Sequence, residues 1–438
     1  MREIIALTHC LAPYLSPTTI RQLRHMVAAM LCMTGRVTTL GMSRWTEKGG
    51  SVRTLQRLMH TPIEWGAVLW ALVNTYLLDR DKDYILAGDE VVVSKAGKQT
   101  HGLGRFYSSL AQRPIPGVSF LALSLVDVEK RRSYPLLVEQ RVPVKRVEKN
   151  EPAVKRGRGR PKGSKNQVKS TPVLSAELTH LGEMLRATVR RIAPLKVKHV
   201  VLDGFFGSYP ATWMVREAGL HVVSKLRHNA ALYLPYTGQK PRRGPTPRYG
   251  DKLNYAALPP SALVHTITEG TLVTDTYHLT VLHKDFPDPL NLVILVKTQL
   301  RTGKRAHAIL FSTDLALSPF QLADYYSLRF QIEFNFRDAK QFWGLEDFMN
   351  TSQQAVTNAA NLAFLMVNVS AILLQPHRQR HPDFSVLDLK AHYRARRYLD
   401  ETIKSLPFSP DANLFSHLWH RFSRLGGIRA LHSDHLAA

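Results

Sequence analysis

The sequence predicts an α/β fold: a sheet flanked by helices, with helical regions toward both chain ends and a β-rich stretch inserted before the last helices. Three observations predict it. Apolar residues recur at helical spacing between Ser16 and Leu78 and again from Pro319 onward. Short apolar runs bounded by turn residues start at Ile85, Val118 and Ser133. A helical segment, Leu174 to Ile192, then leads into the buried-strand run Val197 to Leu202, so the order is strands, helix, strand.

The bulk composition bounds the possibilities. A chain of 438 residues with 44% hydrophobic content is ample for a buried core, and its length suggests roughly two to four structural units. Lys and Arg number 59 against 34 Asp and Glu, a formal net charge of +25, which predicts a polyanionic partner. The longest apolar stretch, Leu362 to Leu374, contains Asn368 and Ser370. It is too short to span a bilayer and reads as a buried helix, so a membrane is not expected. The first ten residues lack a long apolar core before a small-residue cleavage site, and a cytoplasmic, nucleoid-associated location is expected. Only Cys10 and Cys32 are present, which argues against a disulfide framework and a thiolate zinc site.

Taken in chain order, residues 1–80 form a helical region expected to bind DNA. Ser16 and Pro17 suit a helix start, and Ile20, Leu23, Met26, Val27, Met30 and Leu31 share one face. After Gly49-Gly50, Ser51 is a second N-cap candidate, and the short helix that follows carries Arg53 and Arg57. That pattern weakly resembles a helix-turn-helix reader; a bundle with solvated arginines is the plainer alternative. Residues 81–226 hold the first part of the central sheet: Ile85 to Ala87 and Val91 to Val93, then Val118 to Val126 and Ser133 to Val138 as a meander, and after a basic linker at 145–170 the helix and strand named above. Pro210 to Ala218 suits a helix and Leu220 to Leu226 a strand. Residues 227–312, rich in Thr, Val, Tyr and turn residues, read as a β-rich insertion. Residues 313–375 return to helix. Residues 376–438 are helical with interruptions at Pro376, Pro382, Pro407 and Pro410, and are the candidate dimerisation region.

The chemistry is expected in the segment Gln321 to Lys340. Tyr326, Arg329, Glu333 and Lys340 are separated by three, four and seven residues, so on one ideal helix they fall within an arc of about 60°. A carboxylate there can hold a divalent metal while Arg, Lys and Tyr engage phosphate oxygens. A solvated face with ordinary ion pairing is the alternative. Asp89 and Asp203 each sit at or just after an apolar strand run, where a carboxylate is awkward to bury unless it has a role such as metal binding. Singly, each also suits a turn or cap, and Asp203-Gly204 is a common turn dipeptide. Together Asp89, Asp203 and Glu333 could hold two Mg²⁺ ions, with Mn²⁺ as the alternative, at about 3.5–4 Å from each other.

These residues resemble bacterial insertion-sequence transposases of the RNase H-like DDE superfamily, in the branch with the signature Y-x2-R-x3-E-x6-K. Tyr326-x2-Arg329-x3-Glu333-x6-Lys340 matches it fully, and Val200 to Ser208 around Asp203 and Arg329 to Gln341 around Glu333 extend the resemblance, which spans roughly Tyr84 to Leu374. The resemblance implies a mixed five-stranded sheet, metal binding by the three acids, and a β-rich insertion between the second Asp and the Glu. It implies that Tyr326, Arg329 and Lys340 steer DNA phosphates, and that excision proceeds through a hairpin before strand transfer. One departure stands out: relatives often carry a Trp in the insertion that captures a flipped base, but no Trp lies between Trp213 and Trp343. Tyr249, Tyr255, Tyr277 and Phe286 are the candidate replacements.

Within the basic linker, Arg158-Gly159-Arg160-Pro161 resembles an AT-hook, whose arginines lie in a narrow A·T-rich minor groove. A looser basic segment in the insertion carries Arg242, Arg243 and Arg248. The expected activity is therefore metal-dependent cleavage and strand transfer on double-stranded DNA by a homodimer that pairs two transposon ends. The alternatives are a nuclease with the same metal site but no strand transfer, and a DNA-binding protein without catalysis.

Overall fold

The computed structural model describes residues 2–46, 49–108, 111–143, 171–240, 244–407 and 411–422. The AT-hook-like residues Arg158 to Pro161, and Arg242 and Arg243, lie outside them. The helices are α1 (Arg2–Leu7), α2 (Pro17–Cys32), α3 (Thr39–Ser43), α4 (Val52–His60), α5 (Trp65–Leu72), α6 (Ala176–Arg191), α7 (Tyr209–Glu217), α8 (Pro319–Leu328), α9 (Gln331–Gln341), α10 (Gln353–Arg378), α11 (Val386–Lys404) and α12 (Ala412–Phe422). The strands are β1 (Tyr84–Ser94), β2 (Gly104–Ser108), β3 (Arg113–Asp127), β4 (Arg132–Arg141), β5 (His199–Val201), β6 (His221–Leu226), β7 (Leu232–Pro235), β8 (Tyr249–Lys252), β9 (Leu263–Glu269), β10 (Leu272–His283), β11 (Leu290–Gln299) and β12 (Arg305–Ser312).

The N-caps expected at Ser16 and Ser51 form: each side chain accepts the backbone N–H three residues on, from Thr19 at 3.2 Å and Thr54 at 3.3 Å. Satisfying an otherwise orphaned donor is what starts both helices.

The sheet is mixed. β1 pairs antiparallel with β3 and β3 with β4, while β1–β5 and β5–β6 are parallel. The parallel pairs are reached through α6 and α7, as crossovers require. The sheet does not stop at five strands. β12 adds antiparallel to β6, β11 to β12 and β10 to β11, giving one twelve-stranded sheet among the described residues. The β-rich stretch therefore extends the sheet that carries Asp89 rather than forming a sheet apart. The physical reason is β6: its outer edge would be left unpaired by a five-stranded sheet, and β12 supplies the missing ladder.

Two cores cover the two faces. On one, Ile85, Ala87, Val91 and Val93 pack under α8 to α10 and the N-terminal helices. On the other, Tyr84, Leu86, Leu121 and Leu123 pack under α6 and α7. The alternation follows directly from the two-residue period of a strand.

Two expectations about the late helices need correction. Pro376 does not interrupt: α10 runs through it to Arg378. Being so near the helix end, it costs only a terminal hydrogen bond. The apolar stretch read as Leu362 to Leu374 is part of this 26-residue helix, long and apolar enough to cross a membrane by length and composition. Here α10 is enclosed by the protein. Its buried asparagines bind backbone carbonyls that would otherwise be orphaned: Asn361 Nδ2 donates to Val138 O at 3.1 Å and Asn368 Nδ2 to Pro135 O at 2.9 Å, both on edge strand β4. The basic stretch His392 to Tyr398, the candidate dimer contact, lies on α11, where it packs against the protein's own N-terminal helices. Tyr393 Oη donates to Glu3 at 2.6 Å and Arg394 Nε to Cys32 O at 2.9 Å.

Candidate active site

Asp89 lies in β1 on the same face as Ile85, Ala87, Val91 and Val93, so its carboxylate meets the layer formed by α8 and α9. Its Oδ1 accepts the Glu90 N–H at 2.8 Å. Asp203 comes two residues after β5 and caps a short turn, accepting the Phe205 N–H at 3.0 Å. Ser224 Oγ, on β6, donates to the Asp203 carbonyl at 2.7 Å and fixes the turn to the neighbouring strand. The cap expected of an Asp-Gly pair is thus present together with proximity to Asp89.

Gly207 closes that turn. A Cβ there would sit 2.5 Å from the Lys225 carbonyl oxygen of β6, a backbone atom that cannot step aside. Gly207→Ala is therefore expected to destabilise the fold by about 1–3 kcal/mol, the usual cost of overpacking. Urea unfolding measures it, and a midpoint equal to wild type would show that the turn can yield.

The single helix expected over Gln321 to Lys340 is two. α8 ends at Leu328 and α9 begins at Gln331. Across the break the backbone bonds tighten to three-residue spacing, Arg329 N to Tyr326 O at 3.2 Å and Glu333 N to Phe330 O at 3.1 Å. One overwound turn, rather than a loss of helical hand, separates them. Arg329 donates through Nη1 to Asp89 Oδ2 and through Nη2 to Glu333 Oε1, each at 2.8 Å, so one guanidinium spans the first and third acids. Lys340 lies on the same face of α9 as Glu333 but about 10 Å farther along its axis, where it donates to Val92 O of β1 at 2.9 Å and pairs with Glu346 at 3.3 Å.

Electrostatics tie in the second acid. Burial pushes the Asp89 carboxyl up to about 6, with the Asp203 and Glu333 carboxylates adding to the rise and Arg329 and the Glu90 N–H opposing it. Burial also raises Tyr326, and Asp203 and Asp89 reinforce that rise against Arg329. Burial works against the charge on Arg329, yet Asp89 and Glu333 hold its pKa above the ordinary arginine value. Asp89, Asp203, Glu333, Arg329 and Tyr326 therefore share one electrostatic neighbourhood. Among the described residues no three His, Cys, Asp or Glu side chains are gathered tightly enough to hold a metal ion; between Asp89 and Glu333 the space is taken by the Arg329 guanidinium. The donor set nevertheless fits a hard divalent cation: all carboxylate oxygen, with Asp89 short of positive charge even beside Arg329.

A family model described as DDE superfamily endonuclease matches residues 10–281, more than half of the chain. The chain belongs to this family. No curated protein matches it. The matched stretch contains Asp89 and Asp203 and ends before the helices that carry Arg329 and Glu333. The family acts on DNA, typically with divalent metals, and that is the chemistry the match brings to this chain.

The other candidate residues of the endonuclease are spread over its surface. Arg53 and Arg57 are exposed on α4, and with Gln56 and His60 they line a cleft of about 1080 Å³ whose far wall is the Trp343 to Asn350 segment after α9. Arg248 is exposed in the insertion, donating to Pro287 O of the β10–β11 turn. Two of the aromatics offered as base-capturing groups are spent on packing. Tyr255 donates to Ala230 O at 2.6 Å and stacks on His307, and Phe286 is buried against Tyr209, His283 and Phe311. Tyr249 remains partly open beside Tyr233 and Arg248.

Sequence reasoning missed the neighbours on the opposite face of β1. Glu90 receives Arg141 Nη1 at 2.9 Å, and the same guanidinium donates to Glu177 at 3.1 Å. These three come from β1, β4 and the first turn of α6, so no spacing in the chain announces them. The one available signal was strand parity, which places Glu90 opposite Asp89.

Proposed function

We propose that this endonuclease is a DNA transposase of the Y-x2-R-x3-E-x6-K branch, with an RNase H-like catalytic sheet, cutting and rejoining DNA at Asp89, Asp203 and Glu333. The observation that carries the reading is the Arg329 guanidinium shared by Asp89 and Glu333, with Asp203 and Tyr326 in the same field. Such a gathering of acids from the middle of one strand, the turn after another and a helix has no structural necessity, since burying like charges costs free energy unless a ligand offsets it.

In this reading Asp89, Asp203 and Glu333 hold Mg²⁺, as one ion or two. When bound, the metal supplies Lewis-acid stabilisation of the phosphodiester oxygens that gain charge as the strand is cut. The chain's own groups do the rest. Arg329 orients Asp89 and Glu333, and its guanidinium would present donors to a phosphate oxygen were those carboxylates to hold a metal. Tyr326 offers a hydroxyl donor on the same side. Lys340, held at Val92, supplies positive charge farther along α9. Hairpin formation, strand transfer and a dimer that pairs two ends complete the proposal.

The test is incubation of the protein with candidate terminal DNA and Mg²⁺, resolving nicks, hairpins and joined products, with a parallel sample in excess chelator. Nicked, hairpin and joined DNA that vanish on chelation are expected. Cleavage without joining of precut ends would make the protein a nuclease alone, and cleavage that persists in chelator would remove the metal reading.

DNA recognition is assigned to α4, the basic linker with Arg158 and Arg160, and the insertion arginines. Arg53→Ala with Arg57→Ala is expected to reduce the slope of log affinity against log salt by about two, one per lost phosphate contact. Charge reversal at Arg158 and Arg160 flattens the same plot, and a slope equal to wild type in either variant removes that segment from the DNA contact.

A further inference from the structure

On the flank of α9, a pocket of about 250 Å³ opens between the β3–β4 turn, α9 and the end of α10. Four guanidiniums, from Arg131, Arg132, Arg337 and Arg378, line it with a single carboxylate, Asp338. Their pairings leave an excess of charge. Arg131 is spent on α8, donating to Asp324 and Ser327 Oγ, each at 2.7 Å. Arg337 lies over the Phe334 ring and directs Nε and Nη2 to one oxygen of Asp338, at 3.0 and 2.8 Å. Arg378 is anchored through Nε to the neutral Phe384 carbonyl at 2.9 Å, which fixes its plane without neutralising it. Arg132 makes no hydrogen bond or ion pair among the described residues.

Exposed Arg132 and half-buried, anchored Arg378 thus line one pocket with no carboxylate of their own. Burial and the nearby charge of Arg132 depress the Arg378 pKa, and Asp338 offsets this only in part. Arginine's planar fork matches a phosphate better than it matches water, and a pre-fixed fork loses little freedom on binding.

We infer that this pocket binds one phosphate group between Arg132 and Arg378, and that the group is a backbone phosphate of DNA running along α9. Gln331, Phe334 and Asp338, which line the pocket, lie on the flank of α9 turned away from Glu333 at 100° per residue, so a strand held here contacts the protein outside the carboxylates and the pocket takes no part in the chemistry. The inference rests on DNA as the substrate but not on Glu333 as a catalytic group.

The experiment therefore uses the full chain carrying Glu333→Gln, in metal-free buffer, with a labelled duplex titrated across a salt series. Arg132→Ala is expected to lower the slope of log affinity against log salt by about one. Arg190→Ala, an exposed arginine of α6 across the sheet, leaves the slope unchanged and so separates a contact from a general loss of charge. Because the Arg132 side chain makes no hydrogen bond or ion pair among the described residues, an unaltered Tm in the absence of anion is expected and certifies the fold. A second arm follows Tm during titration with inorganic phosphate. A phosphate-induced rise that Arg132→Ala abolishes, with the DNA slope unchanged, would assign the pocket to a free anion and overturn the DNA assignment. If neither measurement responds to Arg132→Ala, the pocket binds no phosphate.

Discussion

Glu333→Gln is expected to reduce Mg²⁺-dependent DNA cleavage by about 10³-fold, the scale set by losing several kcal/mol of stabilisation of developing charge. DNA affinity measured without metal should be unchanged or slightly higher. The substitution is close to isosteric and keeps a hydrogen-bond acceptor for Arg329 Nη2, now 2.8 Å from Glu333 Oε1. What it removes is one negative charge from a group of three acids and an arginine. A structural role would predict the reverse pattern, with Tm falling and activity falling only in proportion. Asp89→Asn should behave alike in cleavage and, because its carboxyl is pushed up to about 6 chiefly by burial, should not lower stability at neutral pH. Cleavage within a factor of about two of wild type in Glu333→Gln, negligible on the scale of a lost catalytic interaction, would remove this helix from the active site.

Asn358→Leu is expected to destabilise the protein more than any other single change considered, by about 3–5 kcal/mol, since several buried polar groups lose their partner at once. Asn358 is fully buried on α10. Its Nδ2 lies within hydrogen-bond reach of three carbonyls, Leu58 O at 3.0 Å, Met59 O at 2.9 Å and Thr61 O at 2.8 Å, and its Oδ1 accepts the Trp65 indole N–H at 2.7 Å. The first two carbonyls belong to the last turn of α4, where Leu58 O also takes the Thr61 N–H at 3.1 Å and the amide supplies a further donor to the helix end. One side chain therefore terminates α4, orients α5 and holds both to α10. The expected result is a large fall in the urea midpoint with loss of DNA binding by α4 at temperatures where the sheet persists. A midpoint within about 0.5 kcal/mol of wild type, the range of an ordinary surface change, would mean that water replaces the amide.

The parts legible in the sequence were those encoded locally. Ser16 and Ser51 announced their helices because capping is a three-residue event, and the β1–β3–β4 meander followed from alternation and turn residues. That Arg329 reaches Glu333 followed from helical spacing, whereas the meeting with Asp89 rested on its place in an apolar strand run and on the family resemblance; Lys340, farther along the same face of α9, serves Val92. What the sequence could not disclose were relations set by tertiary pairing. β12 closing on β6 depends on an edge more than eighty residues earlier in the chain. Arg132 and Arg378 meet only because α10 crosses the start of β4, and Asn358 reads as an ordinary helix residue until the carbonyls it serves are placed beside it.

The core on the α9 face draws its side chains from Ile4 through Tyr393, so α1 and α2 bury their apolar faces only with α10 and α11 in place. During synthesis α1 and α2 leave the ribosome with those faces open and wait for α10 and α11, which follow much later in the chain. A chain arrested after Ser312 would own both aspartates and most of the sheet, yet neither Glu333 nor the helices that seal it. The three acids of the proposed centre therefore come together only after α9 and the helices that cover it have been made.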